Sequence, residues 1–155
     1  MIQRIQTVYL FLVVVFSLFF LFLPLGHFMV NDSKVLIKSL GQANEYLDAA
    51  GMFVQLAGYI ILAITFVVMA LSVYTTLQYK RRLFQIQLGK VNILLHVIIV
   101  VITFFYIDGL KELINDTFSY GAAIFFPLLS MIMILMANRA IRKDENMVRA
   151  ADRLR

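Results

Sequence analysis

The amino-acid sequence predicts an all-α integral membrane protein: a four-helix bundle with cytoplasmic N- and C-termini and a helical C-terminal tail. Three observations carry that expectation. Of the 155 residues, 62% are apolar and only 15% charged, and the mean hydropathy is +0.88. A soluble domain carries about 45–50% apolar and about 25% charged residues, so the excess belongs to a chain that lives in lipid. The apolar residues also fall into four long runs without Lys, Arg, Asp or Glu, and the basic residues gather on alternate connections between those runs.

Residues 5–31 hold no charged side chain, and 8–23 are almost entirely Leu, Phe and Val. About 20 such residues at 1.5 Å rise cross the ~30 Å hydrocarbon layer, so a first span is expected over about 7–29. A cleaved secretion signal has a shorter core, roughly 7–15 residues, and ends at a small-x-small site. Pro24-Leu25-Gly26-His27 offers none, so the run is expected to stay as an anchor, its outer end bent by Pro24. Residues 31–48 form a polar connection in which Val35-Leu36-Ile37 suits either a surface-lying segment or a short strand.

Residues 49–79 make a charge-free run of 31 residues, about 46 Å as a straight helix. A span over about 51–78 must therefore tilt or project from the bilayer. Gly58, Ala63, Ala70 and Ser72 suggest that this second helix is central in the bundle. The basic knot Lys80-Arg81-Arg82 follows. Residues 83–89 set Leu83, Phe84, Ile86 and Leu88 against Gln85 and Gln87, a pattern expected to rest in the interface. The third span is expected over about 90–107, extended by Lys90 snorkelling at its start, with 108–116 as a polar turn. The fourth is expected over about 118–138, kinked at Pro127, where a ladder bond would be lost. The tail, 139–155, has no Gly or Pro and continues as a polar helix in which Glu145 and Arg149 are spaced for an i,i+4 ion pair. Residues 1–155 thus read as a single membrane domain.

Orientation follows from the basic residues. Arg4, Lys80, Arg81, Arg82, Lys90, Arg139, Arg142, Lys143, Arg149, Arg153 and Arg155 fall on one side, eleven in all, against Lys34, Lys38 and Lys111 on the other. Short loops rich in Lys and Arg stay in the cytoplasm, so both termini and the knot are expected there.

The absence of Cys excludes disulfides, thiolate metal sites and a thiol nucleophile. No catalytic triad, H-E-x-x-H or phosphate-binding glycine loop is present, so no catalysis, cofactor or metal is expected. Two groups of residues stand out. Lys80, Arg81, Arg82, Arg139, Arg142, Lys143, Arg149 and Arg153 form a basic face suited to anionic lipid headgroups, to an acidic partner in a larger membrane complex, or to a homo-oligomer contact. The tail lacks the aromatic residues that stack on single-stranded nucleic acid, and no nucleic acid is expected. Asn92 and His96, one turn apart inside the third span, could line a small-molecule or ion pathway, or join helices by hydrogen bonds. Asp108, Glu112 and Asp116 recur every fourth residue, but with Lys111 among them they read as a solvated connection.

Three stretches together carry a resemblance: the opening 1–10, Lys80-Arg81-Arg82-Leu83 with Val91-Asn92-Ile93-Leu94-Leu95, and Arg139-Ala-Ile-Arg-Lys-Asp-Glu145 with the closing Ala151-Asp-Arg-Leu-Arg155. The chain resembles, over essentially its full length, a family of small four-helix inner-membrane proteins of Bacteroidota known as a domain of unknown function. The resemblance implies a bacterial inner-membrane location and four spans. It brings no activity, ligand or catalytic residue. The expected role is a non-enzymatic membrane subunit or scaffold whose basic face docks a partner or anionic lipid.

Overall fold

The computed structural model describes residues 5–30, 33–39, 52–79, 81–114 and 117–153. Four long helices form the body: α1 (Ile5–Phe22), α2 (Met52–Leu77), α3 (Arg82–Ile114) and α4 (Phe125–Arg153). All four are long and apolar enough to cross a membrane. Neighbours are α1 with α2 and α4, and α3 with α2 and α4, so the helices stand in a ring of four. They alternate in direction. Gln85 of α3 meets Thr75 of α2 across their short connection, Arg82 meets Asp144 of α4, and Phe16 and Phe19 stack on Phe126 at the start of α4. The start of α1, the end of α2, the start of α3 and the end of α4 therefore share one end, called here the basic end.

The other end is closed by a three-stranded antiparallel sheet of β1 (Pro24–Val30), β2 (Ser33–Lys38) and β3 (Phe118–Tyr120), with β1 in the middle. This corrects the first span, expected over 7–29. The helix stops at Phe22, and what was expected as its bent outer end is the central strand. Pro24 cannot donate to the carbonyl of Phe20, so the ladder ends there. The Ser39 hydroxyl takes over that carbonyl at 2.7 Å, stitching the end of β2 to the end of α1. Within β1, a Cβ on Gly26 would run into the Phe118 ring and the Ser119 carbonyl, so only glycine lets β3 approach. Leu25, Phe28 and Ile37 point from the sheet into the bundle and meet Phe20, Ile107, Leu110 and Ala123. Val35-Leu36-Ile37, open between surface segment and strand from sequence, lies in β2.

Other boundaries also shift. Residues 83–89, expected to rest in the interface, are the first turns of α3, with Gln85 and Ile86 facing inward. The helix runs on through Asp108 to Ile114, where a turn was expected. At 33 residues it is about 50 Å long and exceeds the thickness of the hydrocarbon layer. Before α4 come β3 and a single 3-10 turn at Ala122–Ile124. Pro127 is thus the third residue of α4, in the turn whose N–H groups lack helical partners anyway, and the expected loss of a ladder bond does not arise. On α2, Ala63 and Ala70 face outward and only Ser72 is fully buried, so the small residues do not give this helix a central place.

The bundle is apolar on its outside as well as inside. Phe11, Phe53, Leu94 and Phe105 are all more than half exposed on its flanks. In water such a surface would aggregate; in lipid it costs nothing, because the tails are as apolar as the side chains.

Candidate functional site

The basic residues divide by what they touch. Arg82 opens α3, and its Nη1 donates to the Asp144 carbonyl at 2.9 Å and lies 3.9 Å from Glu145 Oε2. Glu145 Oε1 in turn accepts from Arg149 Nε at 3.0 Å, the i,i+4 pair the sequence spacing implies. Glu145 thus sits between the knot and the tail and ties both to one place. The start of α3 and the last turns of α4 form one surface rather than a loop and a loose arm.

Two shallow clefts flank this link. One, about 350 Å³, is lined by Leu83, Ile86 and Lys90 of α3 and by Arg142, Glu145 and Arg149 of α4. The other, about 570 Å³, is lined by Arg81, Arg82, Phe84, Glu145 and Val148. In both, basic groups stand over an apolar floor. Arg139 and Lys143 are exposed on α4 but line neither cleft. Lys80 and Arg155 lie outside the described residues, and Arg153 ends α4 with its side chain outside them too.

Asn92 and His96 are 0% and 2% exposed, and they belong to something larger. The buried face of α3 carries Gln85, Asn92, His96 and Thr103, spaced i, i+7, i+11 and i+18. The other helices bury Thr65, Ser72 and Thr75 of α2, Ser130 and Asn138 of α4, and Gln6 and Ser17 of α1. The contacts follow from simple donor accounting. Ser72 spends its only proton on the Val68 carbonyl at 2.9 Å, so its oxygen must accept from Asn92 Nδ2 at 2.8 Å. That fixes the Asn92 amide and turns Oδ1 away, without a donor among the described residues. Gln85 Nε2 donates to the Thr75 carbonyl at 2.7 Å, which leaves Gln85 Oε1 in the same condition. His96 Nδ1 lies 2.8 Å from the Asn92 carbonyl. A carbonyl can only accept, so the neutral ring carries its proton on Nδ1 and presents Nε2 as an acceptor.

Asn138 packs its amide against Gly89, and any Cβ there would collide with it. Sequence reasoning singled out only Asn92 and His96. The signal for the rest lay in the helical spacing of isolated polar residues within otherwise apolar runs. What the stripe offers is hydrogen-bonding capacity in hydrocarbon, with one titratable ring. No three His, Cys, Asp or Glu side chains converge anywhere among the described residues. Asp108 and Glu112 are exposed on α3, and Asp116 lies outside the described residues.

Four antiparallel apolar helices, lipid-compatible on their flanks and capped by a small sheet, define a multi-pass membrane protein. The chain belongs to the family described as Domain of unknown function (DUF4293), whose model matches residues 2–154. No curated protein matches it.

Proposed function

We propose that the chain is a non-enzymatic subunit of a larger membrane assembly, set in a bacterial inner membrane with its basic end in the cytoplasm, and that this end docks the acidic surface of a partner protein. The observation that carries this reading is the Arg82–Glu145–Arg149 link. It holds the knot and the tail as one preformed surface, so a partner need not spend binding energy on ordering a loose arm. The clefts beside it pair Arg or Lys with Leu83, Ile86 and Phe84, a combination suited to a partner that brings carboxylates and an apolar anchor. What weighs against the other reading, a pathway lined by Asn92 and His96, is the core beyond His96, built of Ile99, Tyr106, Ile107 and Leu110.

Purification of the chain from its native membrane in a mild detergent tests the proposal. A defined second protein is expected at fixed stoichiometry, lost when Arg142 and Arg149 are both changed to Glu. Recovery of the wild-type chain alone, or with anionic lipid as its sole companion, would overturn it.

A further inference from the structure

The buried polar stripe is not used by a docking surface, and its hydrogen-bond accounting does not close among the described residues. Four buried oxygens, Gln6 Oε1, Gln85 Oε1, Asn92 Oδ1 and Ser130 Oγ, find no partner among the described residues. Each belongs to a residue at most 4% exposed. In hydrocarbon such groups cannot borrow a bond from solvent, and buried polar atoms are as a rule satisfied.

The distribution of these oxygens is one-sided. Gln6 is the second residue of α1 and Gln85 the fourth of α3, both at the basic end, and Asn92 lies two turns further in. Ser130 meets His96 at one small cavity, lined also by Ser17, Thr65, Phe20, Ile99 and Pro127. Toward the sheet no such oxygen occurs among the described residues. Thr103, the next polar group along α3, spends its hydroxyl on the Ile99 carbonyl at 2.7 Å.

The chemistry of the cavity selects its ligand. Ser17 and Thr65 donate to Val13 and Ile61 of their own helices, at 2.8 and 2.7 Å, and so face the cavity as acceptors. His96 Nε2 is an acceptor by the Nδ1 assignment above. Ser130 is the buried hydroxyl in this group whose proton is not spent on its own helix. Three acceptors and one donor thus face the cavity, and a small ligand that accepts from Ser130 and donates to two of the three acceptors is water. The space left for its centre, about 10 Å³, fits a single molecule.

We propose that the basic half of the bundle core binds water that enters from the basic end and stops at His96, with Ser130 and His96 as its innermost protein ligands. The sheet half of the core stays dry, and the bundle is a blind polar shaft rather than a pore.

The chain has no Cys, so a single introduced thiol reports its own site. Ser130→Cys is close in size to the wild type and gives up no protein hydrogen bond; Ile107→Cys lies in the apolar half. Each variant is reconstituted in vesicles and exposed to Ag⁺, a cation about the size of water. The protein is then denatured, and surviving thiols are counted with a maleimide. Ser130→Cys is expected to lose its thiol at least about tenfold faster than Ile107→Cys, since ions do not cross a dry apolar core. Equal rates would overturn the proposal. A measurement on the unsubstituted core guards against a misfolded variant. The chain has two His residues, so in His27→Gln with ¹⁵N-labelled histidine the single side-chain signal is His96. Magnetisation transfer from water protons to that ring is expected in membranes, and its absence would equally sink the idea.

Discussion

At the scale of single residues, the glycines separate two kinds of tolerance. Gly26 pairs with Tyr120 of β3, and a methyl group there meets a backbone carbonyl as well as a ring. A ring can turn aside, but a strand cannot. Gly26→Ala is therefore expected to cost about 1–3 kcal/mol, the usual range for an overpacked core. In Gly58→Ala, by contrast, the new methyl would meet Tyr106 at 3.4 Å, an ordinary contact. Thermal unfolding in detergent should show a clear drop in midpoint for the first and none for the second, and equal midpoints would contradict the register of β1 on β3. The sequence pointed the other way, since it marks Gly58 as a packing residue and gives no sign that Gly26 is the one without room. Asn92 and His96 were legible because a lone polar residue in an apolar run must be explained. Ser72 stood out only as a small packing residue, and Thr65 and Ser130 escaped notice, because hydroxyls are routinely absorbed by their own helix. Ser72 is so absorbed and still takes a bond from α3.

At the scale of elements, the apolar runs announced four spans, but their ends were poorly marked. The sequence shows charge, and helices end for other reasons. α1 stops at a proline, and α3 passes through Lys90, Asp108 and Lys111 without a break. The central strand was the least legible element. Its seven residues continue the apolar run before them, and its partner β3 lies some ninety residues away in sequence, so no local pattern discloses the pairing. The polar tail, by contrast, was readable as a helix, and the structure adds what holds it. Removal of the Arg82 side chain should free the last turns of α4 without disturbing the spans, because a part-exposed ion pair contributes locally and modestly. Hydrogen–deuterium exchange in Arg82→Ala should rise several-fold in residues 142–150 and stay unchanged in 52–77. No change in the tail would mean that the link does not order it.

For the whole molecule, the decisive feature is polarity from end to end. One end gathers the basic clefts, the Glu145 link and the outermost unpartnered oxygens of the polar stripe, those of Gln6 and Gln85. The other is a sheet whose inner face is Leu25, Phe28 and Ile37 and whose edge strand β3 meets Lys111 of α3, its Nζ 2.9 Å from the Tyr120 hydroxyl. A bundle with identical ends could insert either way, but the charge imbalance and the sheet make this one directional. Basic segments next to a span resist translocation, whereas a small sheet of mostly uncharged residues does not. The basic end is therefore expected inside and the sheet outside. The Cys-free chain allows a direct check. Tyr120 and Met147 are 55% and 53% exposed, at opposite ends. In spheroplasts, a membrane-impermeant maleimide should label Tyr120→Cys at once and Met147→Cys only after the membrane is opened. The reverse pattern would put the basic face outside, where neither a cytoplasmic partner nor the anionic inner leaflet could reach it. The docking role would then fall, while the polar shaft, which depends only on the core, would stand and simply open to the other side.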